Sequence, residues 1–100
     1  MLNKTSFRDL NRRQGKGFVL FGSGNIAKKT KLKLQGLNVK FIVDNSKNLQ
    51  GTDFLDLSIK PPNQLTKGYT IIICSTAIKE ISQQLNQMGF EPDLDYVISP

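Results

Sequence analysis

Residues 17–27 constrain this chain most, because they have the pattern of a short apolar strand, a glycine turn and the first turn of a helix. The spacing Gly22-x-Gly24-x-x-Ala27 fits the fingerprint of dinucleotide-binding loops, whose third small position admits Gly or Ala. Gly22 allows a tight turn out of the strand, Gly24 leaves room for a phosphate, and Ala27 lets the helix pack closely. Free N–H groups and the helix dipole make this helix start a predicted anion site.

The chain after this loop continues the strand–helix–strand pattern. Helical spacing predicts a helix over residues 25–35, and residues 39–43 form a second apolar strand that ends in Asp44. Asp44 lies twenty residues after Gly24, where the fingerprint places an acid for the ribose hydroxyls. A plain Asx turn explains Asp44 equally well, so both interpretations stay open. If a dinucleotide binds, this acid favours NAD over NADP because it repels a 2′-phosphate.

A third strand supplies two further candidate contacts. The β-branched residues 69–74 predict a strand buried on both faces. Ser75 and Thr76 follow at its carboxyl end and face the glycine loop if the two strands are neighbours. Their hydroxyls can donate to a phosphate or a sugar, and Thr76 also suits the N-cap of a helix predicted to run to about Met88.

The remaining segments complete the predicted architecture. Residues 5–13 have the capping signature of a short helix, residues 45–68 are the least regular stretch, and residues 96–98 form a last strand at an edge. We predict an α/β, three-layer Rossmann-like fold with a small, mostly parallel sheet over residues 16–100. Residues 1–15 are an N-terminal helix or linker. One hundred residues suit one domain, so a binding module or part of a longer protein is expected.

Composition limits the chemistry that this chain can perform. It has no histidine and a single cysteine, Cys74, which excludes Ser-His-Asp and Cys-His nucleophiles, Cys-rich metal sites and an internal disulfide. Cys74 itself has the pattern of a small apolar core residue. We therefore predict no catalytic residue and no metal ligand. No membrane span and no apolar signal-peptide core are present in the sequence, which predicts a cytoplasmic protein.

The net charge of +6 is unevenly distributed along the chain. Residues 1–40 carry ten Lys or Arg and one acid, Asp9, whereas residues 41–100 carry four Lys and seven acids. Such a basic half can attract phosphates, nucleic acid or anionic lipid, but a solvated helix face is the simpler interpretation. No aromatic residue interleaves with the lysines of residues 28–33, which argues against nucleic acid as a partner.

Several features, taken in their order along the chain, resemble a known family. The chain is similar to the small Rossmann-like domain of bacterial surface-polysaccharide and nucleotide-sugar enzymes, such as the N-terminal domain of sialic-acid-type sugar acyltransferases. The features that carry this resemblance are the strand and loop of residues 17–24, Asp44-Asn45, Gly51, residues 57–61, residues 71–75 and Gly89-Phe90.

The resemblance implies a nucleotide-binding, most specifically nucleotide-sugar-binding, module that belongs to a transferase of sugar or polysaccharide biosynthesis. The glycine loop would hold the phosphates, and Asp44 with Asn45 would hold the nucleoside. This implies a non-catalytic domain with a fused or separate transferase domain as partner, and it allows a homo-oligomer. The predicted ligand contacts are Gly22, Ser23, Gly24, Asn25, Ile26, Asp44, Asn45, Ser75 and Thr76.

Two alternatives remain open from the residues alone. One is an NAD-binding domain of an oxidoreductase that lacks its catalytic half, so the expected ligand is a nucleotide-sugar or NAD. The other is a non-catalytic docking domain, in which the helix predicted over residues 5–13 is the docking element.

Overall fold

A six-stranded sheet with the order β3-β4-β2-β1-β5-β6 forms the centre of the structure, a computed structural model that describes residues 5–13, 15–34 and 36–100. Neighbouring strands are parallel except for the antiparallel pair β3–β4. The predicted α/β class with a mostly parallel sheet is confirmed. The elements in chain order are α1 (Phe7–Arg12), β1 (Phe18–Phe21), α2 (Asn25–Lys33), β2 (Val39–Val43), β3 (Asp53–Phe54), β4 (Leu57–Lys60), a 3₁₀ helix (Pro62–Gln64), β5 (Thr70–Ile73), α3 (Ile78–Gln87) and β6 (Tyr96–Ile98).

The neighbouring interior strands β1 and β5 are buried on both faces. This explains why their sequences are continuous apolar runs without alternation. Successive side chains enter different cores, because strand residues point alternately to opposite faces of the sheet. Val19 and Ile71 pack in one core with α3, whereas Leu20 and Ile72 pack in the other with α1 and α2. Three layers result, as predicted.

Helix α2 returns the chain from β1 to β2 and buries a narrow apolar stripe. Ala27, Thr30 and Leu34 lie on this stripe, and all three are almost fully buried. The Thr30 hydroxyl donates to the Ile26 carbonyl at 2.7 Å and also hydrogen-bonds the Ser99 hydroxyl. A polar pair is therefore accommodated in the packing between α2 and the segment after β6.

Helix α3 ends where predicted, with Met88 as its C-cap, but it begins later than predicted. It begins at Ile78 with Ala77 as N-cap, so the prediction that Thr76 caps this helix is wrong. The Ser75 hydroxyl instead accepts a hydrogen bond from the Ala77 N–H at 3.0 Å, because Ser75 is the polar side chain placed where the chain leaves the sheet. At the other end Met88 is 38% exposed, so it does not extend the buried face of α3.

Helix α1 packs beside α2 in the same layer. Leu10 is fully buried in the core that also contains Ala27 and Leu34 of α2. The N-terminal turn of α1 is capped, since the Ser6 hydroxyl accepts a hydrogen bond from the Asp9 N–H at 3.2 Å. The short helix predicted over residues 5–13 is thus present. Within the described ranges no helix has the length and apolarity to cross a membrane.

The connection from β2 to β4 contains a hairpin that the sequence analysis did not anticipate. Strands β3 and β4 join through Leu55 and Asp56, which have φ angles of 56° and 61°. Two consecutive left-handed residues match the two-residue turns that fit the twist of a hairpin. After β4, the 3₁₀ helix Pro62–Gln64 lies within the stretch that the sequence predicts to be least regular.

Candidate functional site

The candidate site lies at the carboxyl edge of the sheet, where β1 has β2 on one side and β5 on the other. Chain connections leave β1 and β5 toward opposite faces of the sheet there, which opens a crevice between the loops. The crevice contains an open cavity of about 430 Å³. Eight of the nine predicted contact residues line it together with Cys74, namely Gly22, Ser23, Gly24, Asn25, Ile26, Asp44, Ser75 and Thr76.

The two loop glycines are glycines for different physical reasons. Gly22 has φ +118°, and a Cβ there would lie 2.5 Å from the Cys74 carbonyl oxygen. The fold itself therefore requires a glycine at this position. Gly24 has φ −126°, and a Cβ there would meet no atom within 4 Å. Nothing within the chain demands a glycine at Gly24, so the free space lies on the side where a ligand would sit.

The start of α2 is open to an anion. Gly24 is its N-cap, no side chain caps the helix, and its first turn contains no acidic residue. The first intrahelical hydrogen bond runs from the Lys28 N–H to the Gly24 carbonyl at 3.1 Å. The N–H groups of Asn25 and Ile26 precede that bond and have no partner within the helix. These groups and the positive end of the helix dipole face the cavity.

Asp44 combines the two interpretations that the sequence left open. Its carboxylate accepts a hydrogen bond from the Ser46 N–H at 2.8 Å, which is the predicted Asx turn. Its other oxygen accepts from the Ser23 hydroxyl at 2.7 Å, which joins the loop after β2 to the glycine loop. A carboxylate has about four acceptor positions, so the turn leaves acceptor capacity for a ligand hydroxyl.

Asn45 does not line the cavity of about 430 Å³ described above, the main cavity of the crevice. Its side-chain amide makes a reciprocal pair with Gln84 of α3, with both hydrogen bonds at 2.9 Å. The pair joins the loop after β2 to α3, and Asn45 also lines a smaller cavity with Asp44 and Glu80. The sequence analysis did not identify Gln84 as a partner of Asn45. Gln84 is half-buried and directly precedes Leu85, which is buried on the inner side of α3.

Cys74 lies at the base of the cavity as a buried side chain, 3% exposed. Burial raises the pKa of its thiol to about 12, and a hydrogen bond with the Thr30 hydroxyl opposes that shift only in part. The thiol is therefore protonated at neutral pH, and a protonated thiol is a poor nucleophile. Its place in the structure is that of a small apolar residue between β1 and α2.

A second cavity of about 380 Å³ lies next to the first on the side of β6. The two cavities share Ile26, Ser75 and Thr76. The walls of this distal cavity are largely apolar, and Lys29 and Lys33 of α2 lie at its rim. Its apolar residues, which the sequence analysis did not connect with a ligand, are Ile26, Ile73, Ile78 and Ile98.

The strand order and the position of the crevice define a Rossmann-like domain. Solved structures of known proteins agree with this fold, whereas comparisons of sequence identify no family. No protein-family description matches the chain, and no curated protein matches it.

Solved structures of similar fold include those of RSP, a Rex-family repressor. The structure of RSP itself is 21% identical, with a TM-score of 0.53, covering 82% of this chain and 50% of that one. The complex of RSP with beta-NADH is 21% identical, with a TM-score of 0.53, covering 82% of this chain and 51% of that one. The complex of RSP with beta-NAD+ and operator DNA is 21% identical, with a TM-score of 0.54, covering 82% of this chain and 48% of that one. This chain thus spans about half the length of those chains, and the likeness shows the fold alone.

Two expectations change in light of these neighbours. The argument against nucleic acid as a partner is wrong as a general exclusion, because a protein containing this fold was solved in complex with operator DNA. The physical reason is that interleaved aromatic residues serve single-stranded grooves, whereas duplexes are also contacted without them. The resemblance to nucleotide-sugar enzymes is supported as far as the Rossmann-like fold, and none of these three neighbours is described as a sugar transferase.

Proposed function

We propose that this chain is a nucleotide-binding domain whose ligand is NAD or NADH. The single observation that carries the proposal is the open start of α2 at Gly24, which lies across the same cavity from the Asp44 carboxylate. Backbone N–H groups suit the phosphates of a dinucleotide, and a carboxylate suits its ribose hydroxyls. The proposal concerns binding and assigns no chemical step to the chain.

The contrast between the two glycines supports a phosphate contact. The backbone at Gly24 is extended, and a Cβ there would touch nothing in the protein. A ligand phosphate held by the Asn25 and Ile26 N–H groups would occupy the space that such a Cβ needs. Ser23 is committed to Asp44 through its hydroxyl, so we assign the phosphate to backbone groups rather than to the Ser23 side chain.

The shape of the crevice favours a dinucleotide over a mononucleotide. The main and distal cavities are neighbours that share the lining residues Ile26, Ser75 and Thr76. Each cavity falls in the usual size range of ligand sites, roughly 300–1,000 Å³. A ligand with one nucleoside on each side of a diphosphate would extend over both of them.

The charges at the β2 side favour NAD over NADP. Asp44 and Glu80 both line the smaller cavity next to the glycine loop. A 2′-phosphate near these two carboxylates would be repelled, whereas a ribose 2′-hydroxyl can donate to Asp44.

The neighbours support the NAD alternative over the nucleotide-sugar interpretation. Two of the three neighbour structures contain beta-NADH or beta-NAD+ by their own descriptions. No observation on the present chain selects a sugar nucleotide, so nucleotide-sugars serve as competitors in the test.

Isothermal titration calorimetry tests the proposal with NAD, NADH, NADP, UDP-sugars and CDP-sugars on the wild-type chain and on Gly24→Val. We expect NAD or NADH to bind and Gly24→Val to weaken that binding at least about 10-fold, which corresponds to about 1.4 kcal/mol. The matched control is Ser58→Val, which adds a similar side chain to an exposed position of β4.

Thermal melting of both variants confirms that each is folded, since a Cβ at Gly24 has open space. Tightest binding of a nucleotide-sugar would overturn the NAD assignment while keeping the site. No binding of any nucleotide at millimolar concentration, or equal binding by Gly24→Val, would overturn the site itself.

A further inference from the structure

We propose that the outer face of α1 and α2 is a contact surface for the phosphate backbone of duplex nucleic acid. This basic face comprises Arg8 and Arg12 of α1 with Lys29 and Lys33 of α2. The inference concerns a surface on the outside of the molecule and goes beyond nucleotide binding. It does not require the crevice to hold any ligand.

The two helices run in the same direction along one side of the sheet. The Thr5 N–H donates to the Ile98 carbonyl at 3.1 Å, and Arg13 donates to the Leu94 carbonyl at 3.4 Å. Helix α1 therefore runs from the carboxyl end of β6 toward its amino end. Helix α2 also runs antiparallel to the strands, because it joins the end of β1 to the start of β2. Leu10 and Ala27 belong to the same buried core, so both helices lie on the same side of the sheet.

The four cations occupy the outer side of these helices. Arg8 and Arg12 are four residues apart, and helical geometry places them opposite the buried Leu10. Lys29 and Lys33 have the same spacing on α2. All four side chains belong to exposed residues. Each helix thus presents a pair of positive charges on neighbouring turns.

None of these four cations makes an ion pair within residues 5–13, 15–34 and 36–100, where the ion pair present is Lys67–Asp95, which lies elsewhere. Asp9 is the one acid on α1, three residues before Arg12, and Asp56 lines a groove with Lys28 and Lys31 of α2.

This arrangement has an energetic cost to the helices. Like charges four residues apart destabilise a helix by about 0.2–0.5 kcal/mol per pair. Helix α2 contains four lysines and no acid, whereas α3 on the opposite layer carries Lys79 next to Glu80. The positive charge is therefore concentrated on one layer of the molecule, where it creates a positive potential.

The chemistry of the face selects a duplex backbone among polyanions. A single-strand groove uses aromatic side chains for base stacking, and helix α2 contains no aromatic residue. A membrane-surface helix uses several bulky apolar residues, and here Leu32, 61% exposed, stands alone on α2. Cations without either feature suit phosphates contacted without base recognition.

Fluorescence anisotropy of a labelled mixed-sequence duplex of about 20 base pairs tests the proposal with the full chain and without nucleotide. With four phosphate contacts we expect roughly 100-fold weaker binding on going from about 50 to 200 mM salt. Arg8→Gln/Arg12→Gln and Lys29→Gln/Lys33→Gln should each lower the salt slope by about 2 and weaken low-salt binding roughly 10-fold.

The matched control is Lys47→Gln/Lys79→Gln, which removes two exposed charges away from α1 and α2 and should change affinity less than about 2-fold. The Arg8/Arg12 variant separates this surface from the crevice, since only Lys29 and Lys33 also border the distal cavity. Absent duplex binding, equal weakening by the control, or binding to phosphatidylserine vesicles in preference to the duplex would each overturn the proposal. None of these results bears on the NAD titrations.

Discussion

Gly22 approaches Cys74 so closely that a Cβ on Gly22 would stand 2.5 Å from the Cys74 carbonyl oxygen. The contact follows from strand pairing, since Phe21 and Ile73 are partners in the parallel pair β1–β5. The Gly22 N–H also donates to the Val43 carbonyl at 2.9 Å. The glycine loop is thereby fixed to both neighbouring strands before it reaches the ligand side at Gly24.

We expect Gly22→Ala to destabilise the fold by about 3 kcal/mol. A methyl group there clashes with backbone and must adopt φ +118°, and these two effects cost about 1–3 and 1–2 kcal/mol. Urea unfolding followed by circular dichroism measures the change. The control Gly24→Ala should alter stability by no more than about 1 kcal/mol, because its Cβ meets no atom and only the N-cap preference for glycine over alanine is lost. Equal stability of the two variants would contradict this division of roles.

The sequence was most informative where one physical signal dominated. Buried parallel strands need continuous apolar runs, so β1 and β5 were recognisable from composition alone. The glycine spacing and Asp44 converged on one crevice because carboxyl ends of parallel strands share an edge.

Other features depend on long-range contacts or unusual backbone and could not be predicted. The β3–β4 hairpin turns at Leu55-Asp56, a pair without the Asn or Gly that normally indicates positive φ. The pairing of Asn45 with Gln84 joins residues 39 positions apart, and no local pattern encodes it. Thr76 and Ser75 are adjacent polar residues, and only the exit angle of the chain decides which of them binds the Ala77 N–H.

We expect Asp44→Asn to shift the nucleotide preference toward NADP, if the proposed NAD site is correct. The amide oxygen can still accept from the Ser46 N–H, so the turn is retained, while the charge that repels a 2′-phosphate is lost. The ratio of the Kd for NADP to the Kd for NAD should fall at least about 10-fold in calorimetric titrations. Asp53→Asn, which neutralises an exposed carboxylate on β3 away from the crevice, is the control for general charge loss. An unchanged ratio in Asp44→Asn would place the ribose away from this carboxylate.

Lys67 and Asp95 make a pH-dependent contribution to stability at the opposite edge of the sheet. Burial alone would raise the pKa of Asp95, but hydrogen bonds from Lys67 and from the Glu91 N–H, with the Lys67 charge, lower it overall. Because the pKa of Asp95 is lower in the folded chain than in the unfolded chain, the ionised carboxylate stabilises the fold at pH values above the unfolded pKa of about 3.9. This stabilisation is lost as the pH falls through the folded-state pKa.

We therefore expect Lys67→Gln to destabilise the chain by about 1 kcal/mol near pH 7, since the lysine is exposed and partly screened. Urea titrations at several pH values should show this difference narrowing below about pH 4. Lys79→Gln, an exposed lysine without an ion pair among the described residues, should show no such pH dependence. A difference that is constant with pH would assign the effect to packing of the lysine stem.

The Cys74 thiol should give the free energy of unfolding the opposite pH dependence, a decrease as the pH rises in the alkaline range. Burial raises the pKa of its thiol from 9.0 to about 12, so the unfolded chain ionises first as pH rises. Stability is fully present below pH 9 and falls by about 1.4 kcal/mol per pH unit between the two values. The free energy of unfolding of the wild type should thus drop about 2 kcal/mol more than that of Cys74→Val between pH 9 and pH 11.

Reaction with a disulfide reagent checks the same state of the thiol directly. A protonated, 3%-exposed thiol should react only through unfolding of the chain, so labelling at pH 8 should follow the urea unfolding curve. Rapid labelling of native protein would show instead that the crevice opens to the base of β5, and the thiol would then titrate well below 12. Cys74→Val removes the label and keeps the apolar packing between β1 and α2, so any residual labelling in that variant identifies background.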